Sequence, residues 1–280
     1  MRQMKALSLC LVGTLALAAC EKAGKDEVTR SKNINVIDES NLSDIMLTSA
    51  DPNEAVSYFQ RTMADNPERI DLQRGLAKSL TRAKRGAEAV VIWKRVIVHK
   101  DATFEDQLGY ADALIRTGDW ELAETVLDGV PPTHETFERY KLEAVIADSN
   151  QEWKKADSFY ETAVGMTTRP GSVLNNWGYS KLTRGENREA ERLFGEAITY
   201  DPSLFTAKNN MVLARAAQKN YSLPLIQITQ VERAQLLHTM ALAAIKQGDT
   251  LKGKDLLEQA IEAHPKHFEA AVRSLKKLEG

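Results

Sequence analysis

Cysteine is almost absent. The chain has two in 280 residues, Cys10 and Cys20, too few for a disulfide framework. Neither sign of charge prevails: 37 Lys and Arg stand against 39 Asp and Glu, a net charge of −2. That balance offers no basic patch or stripe for nucleic acid, and no nucleic-acid partner is expected. Low-complexity tracts are missing too. With 43% hydrophobic and 27% charged residues, the composition excludes a disordered chain. No apolar run reaches the ~20 residues a membrane-spanning helix needs.

Chemistry-bearing motifs are equally scarce. Gly248-Asp-Thr-Leu-Lys-Gly253-Lys254 imitates a phosphate loop by letter. Asp255 stands where a hydroxyl should bind magnesium, and no strand pattern precedes the stretch. His264 and His267 are three apart, but Pro265 lies between them. A zinc site needs more ligands in a fixed geometry. His99 and His134 sit at similar places near helix ends. No nucleophile–base pair is legible. The expectation is no catalytic residue, no metal, no cofactor and no enzyme.

What is present is a period. Ser172–Pro202 (SVLNNWGYSKLTRGENREAERLFGEAITYDP) reads as two amphipathic helices joined by a turn. Leu174, Trp177 and Gly178 share one face of the first helix. Ala190, Phe194 and Ala197 share one stripe of the second. Gly185 lies between, where a helix end needs a left-handed residue. Asp201-Pro202 closes the second helix. The stretch resembles the tetratricopeptide repeat, a helix–turn–helix unit of ~34 residues. Lys181 departs from the pattern, where an aromatic residue is usual.

The unit recurs. Its small residue returns as Ala55, Ala89, Ala123, Ala156 and Ala190, in steps of 34, 34, 33 and 34. The large residue four places on is Phe59, Trp93, Leu127, Tyr160 and Phe194. Gly253, Leu257, Ala260 and Pro265 repeat the phase near the C-terminus. The small residue lets two helices approach, and the large one fills the groove beside them. Each unit alone leaves an apolar face wet, so stability comes from stacking. The predicted fold is all-α, a tetratricopeptide-repeat solenoid of antiparallel helix pairs.

Taken in order, the frame predicts a first helix over 41–49, with Pro52 opening the second. Further units begin at Ile70, Phe104, Phe137 and Gly171. Gly118, Gly185 and Gly248 mark inter-helix turns, and all eight prolines fall at helix boundaries or loops. After a helix over Leu204–Lys219 the frame breaks, because Pro224 would fall at the close-packed centre of a helix. One degenerate repeat near 220–230 is expected, with an irregular or extended piece over Asn220–Thr229. Helices over Val231–Gly248 and Thr250–His264 follow. His267–Leu278 should be a capping helix, its outer face polar with Arg273, Lys276 and Lys277.

Residues 1–19 have Arg2 and Lys5 before an apolar run, a signal-peptide pattern. Leu17-Ala18-Ala19-Cys20 resembles the bacterial lipobox. That resemblance implies lipidation of Cys20, removal of residues 1–19, and a membrane partner through the N-terminal lipid. Removing Arg2 and Lys5 from the 37 basic residues leaves 35 against 39 acidic ones. Cys10 would go with the signal. Glu21, in place of an aspartate, favours the outer membrane in the same resemblance. Residues 20–38 lack a helical stripe and read as a tether, and 39–280 as the solenoid.

In tetratricopeptide arrays the first helices of successive units line a peptide groove. The corresponding residues here are Arg74, Lys78, Lys141, Asn175, Asn176, Tyr179, Asn209 and Asn210, with Leu108, Asp112, Val145 and Leu213 at equivalent places. The Asn-Asn pair repeats after 34 residues. An amide both donates and accepts, so a ladder of them can hold an extended backbone. The blander reading is that one Asn of each pair is the family's usual residue. Arg74 and Lys78 match the basic carboxylate clamp of chaperone-binding arrays in type only.

The lipobox, the tether and the run NNWGYSKLTRG…EAERLFGEAITYDP…AKNNMVLARAAQ together resemble the tetratricopeptide-repeat lipoproteins of tight-adherence (Flp) pilus assembly. The resemblance implies an outer-membrane-associated, periplasm-facing assembly factor, with envelope proteins of the pilus or secretion machinery, its secretin among them, as partners. The same scaffold could serve as an adaptor for peptidoglycan hydrolases. An enzyme, or a regulatory subunit of one, is the third class, expected to show a polar cluster in the groove or the 220–230 loop.

Overall fold

A computed structural model describes residues 42–279. Every regular element among them is an α-helix. They form two compact units, divided between Ala102 and Thr103. The expected signal, Cys20 and the tether lie outside the described residues.

The first unit holds α1 (42–48), α2 (Pro52–Asp65), α3 (Ile70–Arg82) and α4 (Gly86–Val96). Asp51 caps α2, its carboxylate accepting from the Asn53 N–H at 2.8 Å. Pro52 takes the first helical position, where its missing N–H costs nothing. Arg82 closes α1 by donating to the carbonyls of Met46, Leu47 and Ala50 at 2.7–2.9 Å.

The second unit is a succession of hairpins. It contains α5 (Phe104–Thr117), α6 (Trp120–Asp128), α7 (Phe137–Ser149), α8 (Trp153–Gly165), α9 (Gly171–Thr183), α10 (Asn187–Tyr200), α11 (Phe205–Ala217), α12 (Gln230–Lys246), α13 (Thr250–Ala263) and α14 (Glu269–Glu279). Sequential helices pack on one another, and α5, α7, α9 and α11 also touch in turn. The five periodic alanines are fully buried, and the five large residues after them are at most 2% exposed.

Gly178, like Gly75 and Gly253, stands where two helices approach closely. A Cβ there would stand 2.7 Å from the Phe194 ring, whose side chain is fully enclosed. The ring has nowhere to retreat. Gly178→Ala should therefore cost about 1–3 kcal/mol, the usual range for overpacking. Chemical denaturation checks this, and an unchanged midpoint would refute the α9–α10 packing.

The turns that follow α3, α5, α7, α9, α11 and α12 each hold one left-handed residue. Gly118, Gly185 and Gly248 have φ of 82°, 79° and 86°. Lys84, Gln151 and Lys219 occupy the equivalent place with φ of 60°, 60° and 57°. A side chain in that conformation costs ~1–2 kcal/mol, so the turn geometry is imposed by packing as well as by glycine.

The frame breaks where expected. Residues between α11 and α12 are not helical, and Pro224 is buried within them. The irregular piece does the work of the missing helix. Leu223 and Ile228 pack against the cluster of Val212, Leu236 and Met240. Ile226 packs against Leu193 and Ile198. Leu225 points fully into solvent. Arg215 pins the piece by donating to the Ser222 carbonyl at 3.0 Å and its hydroxyl at 2.8 Å. Thr229 and Glu232 then form a reciprocal capping box that starts α12. The Lys208 ammonium, almost entirely buried, pairs with Glu232 at 2.9 Å. The final helix, α14, begins two residues later than its predicted start.

Candidate functional site

On the second unit, α9 and α11 bring the repeated amides to one place. Asn210 donates from Nδ2 to Asn175 Oδ1 at 3.1 Å. Thr239 on α12 donates to Asn209 Oδ1 at 2.8 Å. Asn176 makes no side-chain hydrogen bond among the described residues. Asn175, Asn176 and Asn210 line a cavity of about 540 Å³ together with Tyr179 and Thr206. Trp120, Val145, Asp148, Ser149 and Tyr160 complete its wall. Two of its aromatic residues are unusually open: Trp120 is 40% and Tyr179 53% exposed. The cavity is thus an apolar trough with a line of amides, able to take both a side chain and the backbone that carries it.

The remaining groove residues fall elsewhere. Arg74 and Lys78 belong to the first unit; Lys78 is exposed, and Arg74 donates to the Asp101 carbonyl at 2.8 Å. Lys141 is held by Glu138 and lies over the Phe137 ring, 5.7 Å from its centre. Asp112 pairs with Arg116 at 2.7 Å. Leu108 is core, only 4% exposed. The imitation phosphate loop is a turn leading into α13, with Lys252 paired to Asp255 at 2.7 Å. His264 stacks on Phe268 with ring centres 4.9 Å apart, and His267 pairs with Glu269 at 2.9 Å.

A charged network beneath the cavity was not anticipated from sequence. Asp157 on α8 receives four donors from the α9 side. Arg184 grips it with two bonds of 2.7 and 3.2 Å. Lys181 donates at 2.9 Å, and Trp177 donates from Nε1 at 2.7 Å. Burial alone would raise the Asp157 carboxyl, but Arg184, Lys181 and Trp177 outweigh it and bring it down to about 2. Lys181 and Arg184 also reach Glu186, at 2.9 and 3.6 Å. Asp148 accepts from the Ser180 hydroxyl, and burial pushes its carboxyl above the usual range. Lys181 is the residue that departed from the repeat pattern. That departure was the available signal: an ammonium replaces an aromatic ring because it meets a carboxylate on the preceding hairpin.

The comparisons with known proteins agree on the architecture. The tetratricopeptide repeat family matches residues 236–267. No curated protein matches the chain by sequence. A tetratricopeptide repeat protein from Parabacteroides merdae superposes with a TM-score of 0.55 at 14% identity, over 86% of this chain and 97% of that one. The anaphase-promoting-complex assembly Cut9–Hcn1 gives 0.61 at 13% identity, over 85% and 48%. The human IFIT1 dimer with PPP-AAAA gives 0.58 at 14% identity, over 81% and 59%. This chain thus spans about half the length of the Cut9–Hcn1 chain and just under three-fifths of the IFIT1 chain. The fold is a tetratricopeptide-repeat solenoid, with the second helix of one repeat replaced by non-helical chain.

Proposed function

We propose that this protein is a non-enzymatic scaffold that holds an extended segment of a partner protein in the cavity of its second unit. The observation that carries this reading is the juxtaposition of Asn175, Asn176 and Asn210 with the exposed rings of Trp120 and Tyr179. Amides suit a peptide backbone, and open aromatic faces suit a side chain.

The finer reading joins this cavity to the N-terminal sequence. The lipobox around Cys20 supports a lipid anchor, with the outer membrane favoured by Glu21. Two or more acyl chains, each buried methylene contributing ~0.8 kcal/mol, would hold such an anchor stably. In that reading the protein works like the tight-adherence lipoprotein TadD. It faces the periplasm and assists assembly of a pilus or secretion apparatus, with the secretin as the leading client.

Photo-crosslinking from position 176 in intact cells tests both levels. Capture of a secretin or another pilus-assembly protein is expected. Capture of a peptidoglycan hydrolase would replace that client with the cell-wall alternative. Capture of nothing, with the protein folded and at the membrane, would overturn the cavity as the working surface.

A further inference from the structure

We propose that the cavity selects a lysine or arginine side chain of the bound peptide, with Asp148 as its counter-ion. The inference rests on the peptide-binding reading above and specifies the chemistry of the occupant.

Among the described residues, Asp148 is the only charged side chain in the cavity wall. One of its oxygens accepts from the Ser180 hydroxyl. Neither oxygen has a cation in hydrogen-bond reach among the described residues; Arg184 acts on Asp148 only at longer range, with Nη2 donating to the Ser180 hydroxyl at 3.0 Å. The network beneath explains why. It contains two cations, Lys181 and Arg184, and three carboxylates, Asp148, Asp157 and Glu186. Both cations are committed to Asp157 and Glu186, at 2.7–3.6 Å. One negative charge is left over, and it resides on the carboxylate that faces the cavity.

A half-buried carboxylate with no cation in direct contact is costly, and an incoming cation reduces that cost. An acidic side chain would add a like charge, and an aliphatic one would strip Asp148 of water without replacing it. The rest of the wall suits the same choice. Trp120 and Tyr179 offer open ring faces to an ammonium or guanidinium. Val145 and the Tyr179 ring can line the alkyl stem. Asn176, with no partner of its own, can meet the peptide backbone beside it.

The test pans a random-sequence peptide library on the immobilised full-length chain and sequences what is retained. Enrichment of Lys and Arg at one position is expected. In Asp148→Asn, which keeps an acceptor for Ser180, that enrichment should fall about tenfold while peptides are still retained. Melting curves confirm that the variant is folded, and Tyr179→Leu, at an exposed site, supplies a second variant with the same expected loss. Retained peptides enriched instead in acidic or aliphatic residues would overturn the inference and leave the peptide cavity standing. So would unchanged enrichment in both variants. Retention of no peptide by the unmodified chain would overturn the inference and the cavity reading together.

Discussion

Replacing Ala190 by glutamate is expected to lower the melting temperature by on the order of 10 °C. Ala190 is fully enclosed, packed with Phe194 and Ala214 and bounded by Leu182 and Met211. A carboxylate placed there has no partner and no path to water. Transfer of an unpaired charge into such a site costs several kcal/mol, and the longer side chain adds strain to a packed layer. A loss of about 4 kcal/mol or more is the expected class of effect. At about 2–4 °C per kcal/mol for a unit of this size, that gives the shift stated. Far-UV circular dichroism measures it. Ala217→Glu, exposed at the end of α11, serves as the control and should stay within about 0.5 kcal/mol of the parent. Because repeats are coupled mainly to their neighbours, hydrogen exchange should locate the loss in α9–α11 first. An unchanged melting curve would contradict the packing frame.

That frame was legible because it depends on sterics at fixed intervals. Ala123, Ala156 and Ala190 recur where two helices must touch, and Leu127, Tyr160 and Phe194 recur where a groove must be filled. Proline gave the breaks, since Pro224 cannot stand inside a helix. What replaced the lost helix was not legible. Leu223, Ile226 and Ile228 show no helical period, and only the folded chain shows that they fill two separate core clusters. The left-handed turns were readable where glycine marks them and hidden at Lys84, Gln151 and Lys219, where tertiary packing overrides preference. The amide ladder was half visible. The 34-residue repeat aligned Asn175 with Asn209 and Asn176 with Asn210, but the bond at 3.1 Å joins Asn175 to Asn210, one residue off that register, which no spacing states. The charged network was the least visible part. Asp157, Lys181 and Arg184 are ordinary surface letters until two hairpins stack, and only the odd residue at 181 pointed to it.

The network leads to the second large effect. Asp157→Ala is expected to cost about 2–3 kcal/mol, most of it from what is left behind. The side chains of Arg184 and Lys181 are only 7% and 11% exposed. Removing their common acceptor strands the Trp177 N–H and leaves the two cations only the half-exposed Glu186 as counter-ion. Breaking a buried pair in this way typically costs about 3–5 kcal/mol, and the 29% exposure of Asp157 moves the expectation to the lower end. If stranded charge is the cause, removing the cations as well should restore part of the loss. Asp157→Leu combined with Lys181→Met and Arg184→Met should therefore be more stable than Asp157→Ala alone. A triple variant no better than the single one would sink that account. Acid gives an independent reading. The Asp157 carboxyl titrates at about 2 in the fold, below the ~3.9 of an unfolded chain. Its contribution is complete above ~3.9 and disappears as pH falls towards 2, so the parent should lose stability over that window more steeply than Asp157→Asn. Asp148 has the opposite sign. Burial raises its carboxyl in the fold, so protonation there favours the folded state and Asp148→Asn should remove a gain on acidification, not a loss. Opposite changes of slope, below ~3.9 for Asp157→Asn and above it for Asp148→Asn, measured by denaturation, would separate the carboxylate that binds the hairpins together from the one left facing the cavity.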